Sequence, residues 1–281
     1  MSLDANSLER LPRVRAGLNF ILPTAEKPLS YEYDPPTGMP RTTASYEERS
    51  VAIHNMRAVA REFSLEREGV RLVTAPSAVG DFYDEAQLRN VYYPEAERLV
   101  KELTGANRAV IFDHTIRRRI AGAADRTGGV PRQPVPRVHV DYTVKSGPQR
   151  VRDLLADEAD ELLRHRFAVI NVWRPIRGPL QDSPLAVSDA RSVSFEDLVP
   201  VDLIYQERTG EIYMVKFNPS QRWFYAPRMT SDEVLAFKCF DSAEDGRARF
   251  APHAAFEDPS APLDAWPRES IELRVLAFFA G

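Results

Sequence analysis

From Phe167 onward the chain changes its hydrophobic period. Just before it, residues 148–164 carry Val151, Leu154, Leu155, Ala159, Leu162 and Leu163 at helical spacing, which predicts the longest helix of the chain. Beyond it comes a run of short apolar or alternating segments: 167–173, 202–206, 212–217, 222–226, 234–240, 250–256 and 270–279. Segment 234–240 is compatible with helix or strand, and the strand is preferred. Thr209-Gly210 and Asn218-Pro219 punctuate the run as turns. Strands this short and this numerous bury their apolar faces only by closing into a sandwich or barrel. Helical patterns ahead of such a run predict an α+β fold. The 22 prolines against 13 glycines suit short strands joined by stiff loops.

The first part of the chain reads differently. Prolines at 12, 23, 28, 35, 36 and 40 break any helical period. Residues 18–22 suggest an edge strand, with Tyr31 and Tyr33 covering the core from outside. Residues 46–63 predict a helix, with Ser45 and Glu48 as a capping box and Val51, Met56, Val59 and Phe63 on its buried face. A short strand over 70–74, a helix over 95–103 between Pro94 and Gly105, and a strand over 109–113 come next. Residues 117–129 are expected to be a loop. One domain is expected over residues 1–281. In it, residues 1–107 form a helix-rich region for support and substrate choice, and residues 108–281 form the β core.

Composition excludes several classes. A net charge of -4 over 281 residues offers no bulk basic footprint for nucleic acid. The lone Cys239 rules out an intrachain disulfide and a thiolate zinc cluster, and fits a reducing cytoplasm. No signal peptide and no membrane-spanning run is evident. The expected partner is a small molecule, with neither nucleic acid nor membrane; the oligomeric state is not legible.

Chemistry concentrates at His139-Val140-Asp141. Residues two apart on a strand share a face, so an imidazole and a carboxylate point side by side. With His253 as a third ligand they make a 2-His-1-carboxylate triad, the donor set of non-haem iron oxygenases. The plainer alternative is a structural His bonded to a nearby Asp. Arg268 and Ser270 share a face of the last strand and can together hold a carboxylate of an organic diacid. Arg274 lies on the same face and competes as the anchor, ranked second. Asn171 and Trp173 share a face of another strand, where they can contact a co-substrate and wall off water. Arg117, Tyr142 and Trp223 are further substrate candidates. His54, His114 and His165 are read as structural.

Five segments together resemble the CmcJ/AsaB-like hydroxylase/desaturase family: His139-Val140-Asp141-Tyr142-Thr143, Asn171-Val172-Trp173-Arg174-Pro175, Lys238-Cys239-Phe240-Asp241-Ser242, Phe250-Ala251-Pro252-His253 and Pro267-Arg268-Glu269-Ser270-Ile271-Glu272. The resemblance covers roughly residues 108–279. It implies a double-stranded β-helix (jelly-roll, cupin-like) core with flanking helices. It also implies a non-haem oxygenase that uses Fe(II), 2-oxoglutarate and O2. His139, Asp141 and His253 would hold the iron, and Arg268 and Ser270 the far carboxylate of 2-oxoglutarate. No catalytic residue beyond the metal ligands is expected. The implied reaction is hydroxylation or desaturation of an unactivated C–H bond in a natural-product or amino-acid-like molecule. A cupin-like iron enzyme without 2-oxoglutarate and a metal-free small-molecule-binding β-helix protein are the alternatives.

Overall fold

The structure, a computed structural model, describes residues 8–123 and 132–280. The strands are β1 (Arg13–Ile21), β2 (Leu29–Tyr31), β3 (Tyr46–Asn55), β4 (Val70–Thr74), β5 (Arg108–Arg118), β6 (His139–Val140), β7 (Phe167–Pro175), β8 (Leu185–Ser188), β9 (Leu198–Ile204), β10 (Thr209–Val215), β11 (Trp223–Tyr225), β12 (Glu233–Asp241), β13 (His253–Ala255) and β14 (Glu269–Phe278). They form a nine-stranded sheet, β1-β3-β11-β8-β13-β6-β10-β9-β2, and a five-stranded sheet, β4-β12-β7-β14-β5. Strand residues outnumber helical ones among the described residues, consistent with a jelly-roll-like fold.

The parity of β7 shows how the layers stack. Phe167, Val169 and Trp173 pack into the large core between the sheets. Ala168, Ile170 and Val172 face the other way, onto Leu88, Tyr92, Ala96 and Val100. The last two of these lie on helix α1 (Tyr93–Thr104), which covers the outside of the five-stranded sheet. Pro94 opens that helix, and Gly105, at φ 72°, closes it by donating to the Lys101 carbonyl. With both faces covered, every residue of β7 is buried, which explains its nearly continuous apolar run.

One irregularity in β5 matters for the site. Pairing with β14 runs Arg274↔Asp113 and then Val275↔Ile111, so Phe112 is an extra residue, a β-bulge. Before it, Val110 and Phe112 face the large core. After it, Asp113, Thr115 and Arg117 line a cavity on that same side.

Several expectations need correction. Residues 46–55 are strand β3, paired with β1 through Ala16↔Val51, and not a helix. Val51 and Ile53 are buried two apart, a strand period that the later Met56 and Val59 disguised as helical. Ser45 and Glu48 make no capping box. Glu48 lies over Gly17, where a Cβ would stand 2.4 Å from its Cδ. The first 107 residues therefore supply four strands and are not chiefly helical. The long helix is two pieces, α2 (Ser146–Leu154) and α3 (Ala159–Leu162), broken at Leu155, whose φ is -130°. Strand β5 runs on through Arg117 and Arg118, because β14 pairs with it to the end. The remainder of that expected loop includes residues 124–129, which lie outside the described residues. The edge strand expected over 18–22 is β1, at the margin of its sheet. No helix among the described residues is long and apolar enough to cross a membrane.

The Lys238-Cys239-Phe240-Asp241-Ser242 segment acts as a fastener. Lys238 and Asp241 are fully buried and paired at 2.7 Å. Arg166 adds a 2.7 Å contact to the same carboxylate oxygen, and Ser242 Oγ accepts from the Phe167 amide at 2.9 Å. The end of β12 is thereby tied to the start of β7. Removing one partner of such a pair strands a buried charge. Asp241→Ala is expected to cost about 3–5 kcal/mol, read as a lower urea midpoint at unchanged m-value. A midpoint within error of the parent would overturn that role.

Candidate metal centre

Strand β6 has two residues and holds His139 between β10 and β13. His253 of β13 is its direct cross-strand partner. Side chains opposite one another on an antiparallel pair share a face, and the two imidazole centroids stand 4.4 Å apart. Asp141 comes immediately after β6, with Oδ1 3.5 Å from His139 Nε2. One donor atom from each of the three lies within 4.8 Å of the others.

The free atoms are the ones a metal needs. His139 Nδ1 lies 2.8 Å from the Arg137 carbonyl, and His253 Nδ1 lies 3.3 Å from that of Ala251. A carbonyl can only accept, so each Nδ1 carries the proton and each Nε2 keeps its lone pair. Asp141 Oδ2 accepts from Asn171 Nδ2 at 2.8 Å and from Arg274 Nε at 2.9 Å, which leaves Oδ1 open. Asn171 and Arg274 are themselves cross-strand partners, on β7 and β14 of the opposite sheet. Burial pushes the His253 imidazole down to about 3, so it is neutral and ready to ligate. Burial alone would raise the Asp141 carboxyl. The Arg274 guanidinium outweighs it and holds the group well below the usual carboxylate range. The residues fit a divalent ion.

Arg274 is saturated. Beyond Asp141 it reaches Asp113 at 2.7 Å and Glu272 at 2.9 Å. Arg268 is the opposite case. It is buried, donates from Nε to Ser270 Oγ at 2.9 Å and from Nη1 to the Ser183 carbonyl at 2.9 Å, and has no ion pair with a carboxylate among the described residues. Burial, with the nearby Arg117 charge, pushes its guanidinium down to about 9. The Trp173 ring lies 5.0 Å from it. Arg268, Arg117, Glu272, His139 and His253 surround a small recess beside the triad. A larger cavity of about 910 Å³ adjoins it, lined by His139, Asp141, Tyr142 and Arg274 among others.

The other expected residues fall in different places. Arg117 lines both spaces and donates to the Gln133 carbonyl at 2.8 Å. Tyr142 lines the larger cavity, its ring edge-on to Phe112. Trp223 lines neither; on β11 it is buried in the core, edge-on to Phe20 at 6.0 Å. His114 bonds to the Tyr93 hydroxyl at 2.8 Å, His165 is exposed beside Glu161, and His54 is buried on β3. Glu272 is the residue that the sequence did not single out. Arg268, Ser270, Glu272 and Arg274 alternate along β14, so parity alone would have put it in the site.

A 2-His-1-carboxylate centre between two β sheets is the donor set of non-haem iron oxygenases. A family model described as Oxidoreductase/YMDC permease-like domain matches residues 18–278. The hydroxylase/desaturase efuI of Hormonema carpetanum is 35% identical, over 95% of this chain and 96% of the relative. The Fe(II)/2-oxoglutarate-dependent dioxygenase nvfI of Aspergillus novofumigatus is 32% identical, over 92% and 94%. The solved structure of the iron and alpha-ketoglutarate-dependent endoperoxidase NvfI superposes with a TM-score of 0.86 at 30% identity, covering 97% of this chain and 100% of that one. The chain belongs to the CmcJ/AsaB-like hydroxylase/desaturase family, iron- and 2-oxoglutarate-dependent oxygenases.

The geometry of the centre makes two outcomes measurable. Asn171→Ala should weaken Mn(II) binding roughly 10-fold or more, measured by electron paramagnetic resonance, because Asp141 Oδ2 loses a donor that orients it. Unchanged affinity would mean Arg274 suffices alone. Secondly, the unfolded chain takes up a proton near 6.5 that the folded His253, at about 3, refuses. Stability of the metal-free protein should therefore fall as pH drops below 6.5, and His253→Gln should flatten that slope down to about pH 4.5, where carboxylates take over.

Proposed function

We propose that the whole chain works as one oxygenase domain on a double-stranded β-helix core. It hydroxylates or desaturates an unactivated C–H bond of a small natural-product or amino-acid-like molecule. His139, Asp141 and His253 hold Fe(II). Arg268, helped by Ser270, takes the far carboxylate of 2-oxoglutarate in the recess beside the triad. The observation that carries this reading is the buried Arg268 cation. A buried guanidinium with no carboxylate in direct contact is costly, and the recess next to the metal donors is where a diacid would supply one. Arg274, already surrounded by three carboxylates, is a positioning residue for Asp141 and not the anchor.

When bound, the iron with 2-oxoglutarate and O2 supplies the oxidising power for C–H cleavage. The chain's own residues do the rest. Arg274 and Asn171 fix Asp141 so that a single oxygen faces the metal. The protonated Nδ1 atoms fix both imidazoles. Trp173, buried under Arg268, keeps water from that end of the recess. The larger cavity admits the substrate on the open side of the centre.

Arg268→Met preserves side-chain volume and removes the charge. It should weaken 2-oxoglutarate binding on the order of 100-fold, the worth of a charge-assisted pair, and leave Mn(II) affinity nearly unchanged. Titration calorimetry measures both. Unaltered 2-oxoglutarate affinity would falsify the anchor. His253→Ala should abolish succinate formation while the metal-free melting temperature changes little. His165→Ala, at an exposed site, should do neither.

A further inference from the structure

One wall of the larger cavity is a single face of α2. Ser146, Gln149, Arg150 and Asp153 line it, with Lys145 just ahead of the helix. Spacings of three and four stack these side chains in one row. The facing wall is the β9–β10 hairpin, including Tyr205 and Arg208. His139, Asp141 and Arg274 line the same space.

The charges in this space are unevenly matched. Lys27 is taken up by Asp202 and Glu211, and Arg274 by Asp141, Asp113 and Glu272. Asp153 accepts from Gln149 Nε2 at 2.7 Å and stands 3.9 Å from Arg150 Nη1, beyond hydrogen-bond range. Arg150 Nε is buried and has no hydrogen-bond partner among the described residues. Its guanidinium lies 5.8 Å from the Phe112 ring centroid and beside the Tyr142 hydroxyl. Phe112 and Tyr142 meet edge-on, and Asp141, next to Tyr142, carries a metal donor atom. Arg208 rests on the Tyr205 ring at 3.9 Å. Among the described residues neither it nor Lys145 makes an ion pair. A buried guanidinium N–H left without an acceptor is unfavourable, and a planar fork beside a hydroxyl matches a carboxylate in shape and charge.

We propose that the prime substrate carries a carboxylate, gripped by Arg150 with Tyr142 beside it, and that Lys145 and Arg208 draw it in from both walls. This rests on the oxygenase reading and names the substrate class for it. The neutral body of the substrate then extends from Arg150 towards the triad.

The test uses protein loaded with Ni(II) and saturating 2-oxoglutarate, so that neither the metal nor Arg268 is open to the probe. 1-Naphthylacetate and 1-naphthylacetamide, which share a body and differ in charge, are titrated by calorimetry. The acid should bind at least about 10-fold more tightly than the amide, and Arg150→Gln should erase that preference. The variant's binding of 2-oxoglutarate checks that it is folded. Equal affinities in the parent, no measurable binding of the acid at about 1 mM, or a preference that survives Arg150→Gln overturns the proposal. Failure of 2-oxoglutarate to bind the Ni(II) protein instead sinks the oxygenase reading. The acid–amide comparison, repeated without metal, then still decides this one.

Discussion

Asp141 Oδ2 is where the two sheets agree. It accepts from Asn171 on β7 and Arg274 on β14, while its own backbone continues β6 of the other sheet. Two cross-strand pairs thus face each other across the interior: His139 with His253, and Asn171 with Arg274. The carboxylate is the bolt between them. A shift of one residue in either register would turn its donors to the far face of the sheet and undo the centre. Metal geometry here depends on strand pairing many residues away, which is why a site built on strands can be held so tightly.

The buried charges obey one rule with three outcomes. Lys238 and Asp241 satisfy each other and join strands. Arg274 is surrounded by acids and orients one of them. Among the described residues the buried Arg268 guanidinium donates to neutral acceptors and touches no carboxylate, which makes it a receptor for a charge arriving from outside. Burial alone does not distinguish a structural charge from a binding one; the identity of the partner does.

Much of the site was legible in the chain. His139 and Asp141 announced themselves by spacing, and His253 stands opposite His139 as the triad required. The run of strands after Phe167 was readable because each alternates or stays apolar over a short length. The first hundred residues were not. Val51, Met56, Val59 and Phe63 fit a helical period as well as a strand followed by a turn, and only pairing with β1 decides between them. Arg274 was ranked as an anchor because strand parity identifies the face of a side chain and not its partner. Trp223, a further substrate candidate, has its ring in the core, because a strand segment of bulky residues does not say which face meets the cavity.

The bulge at Phe112 lets two residues adjacent in sequence, Phe112 and Asp113, look into the same interior, so β5 passes from greasy lining to polar wall within one peptide unit. The strand is therefore read in two frames, joined at that residue. Deleting Phe112 would merge the frames. Val110, Asp113, Thr115 and Arg117 would then share one unbroken inward frame, and the cavity would keep its polar wall but lose the ring that meets Tyr142 edge-on and lies under Arg150. Relatives that differ in chain length at this point should differ in what they accept, even where their metal donors are the same.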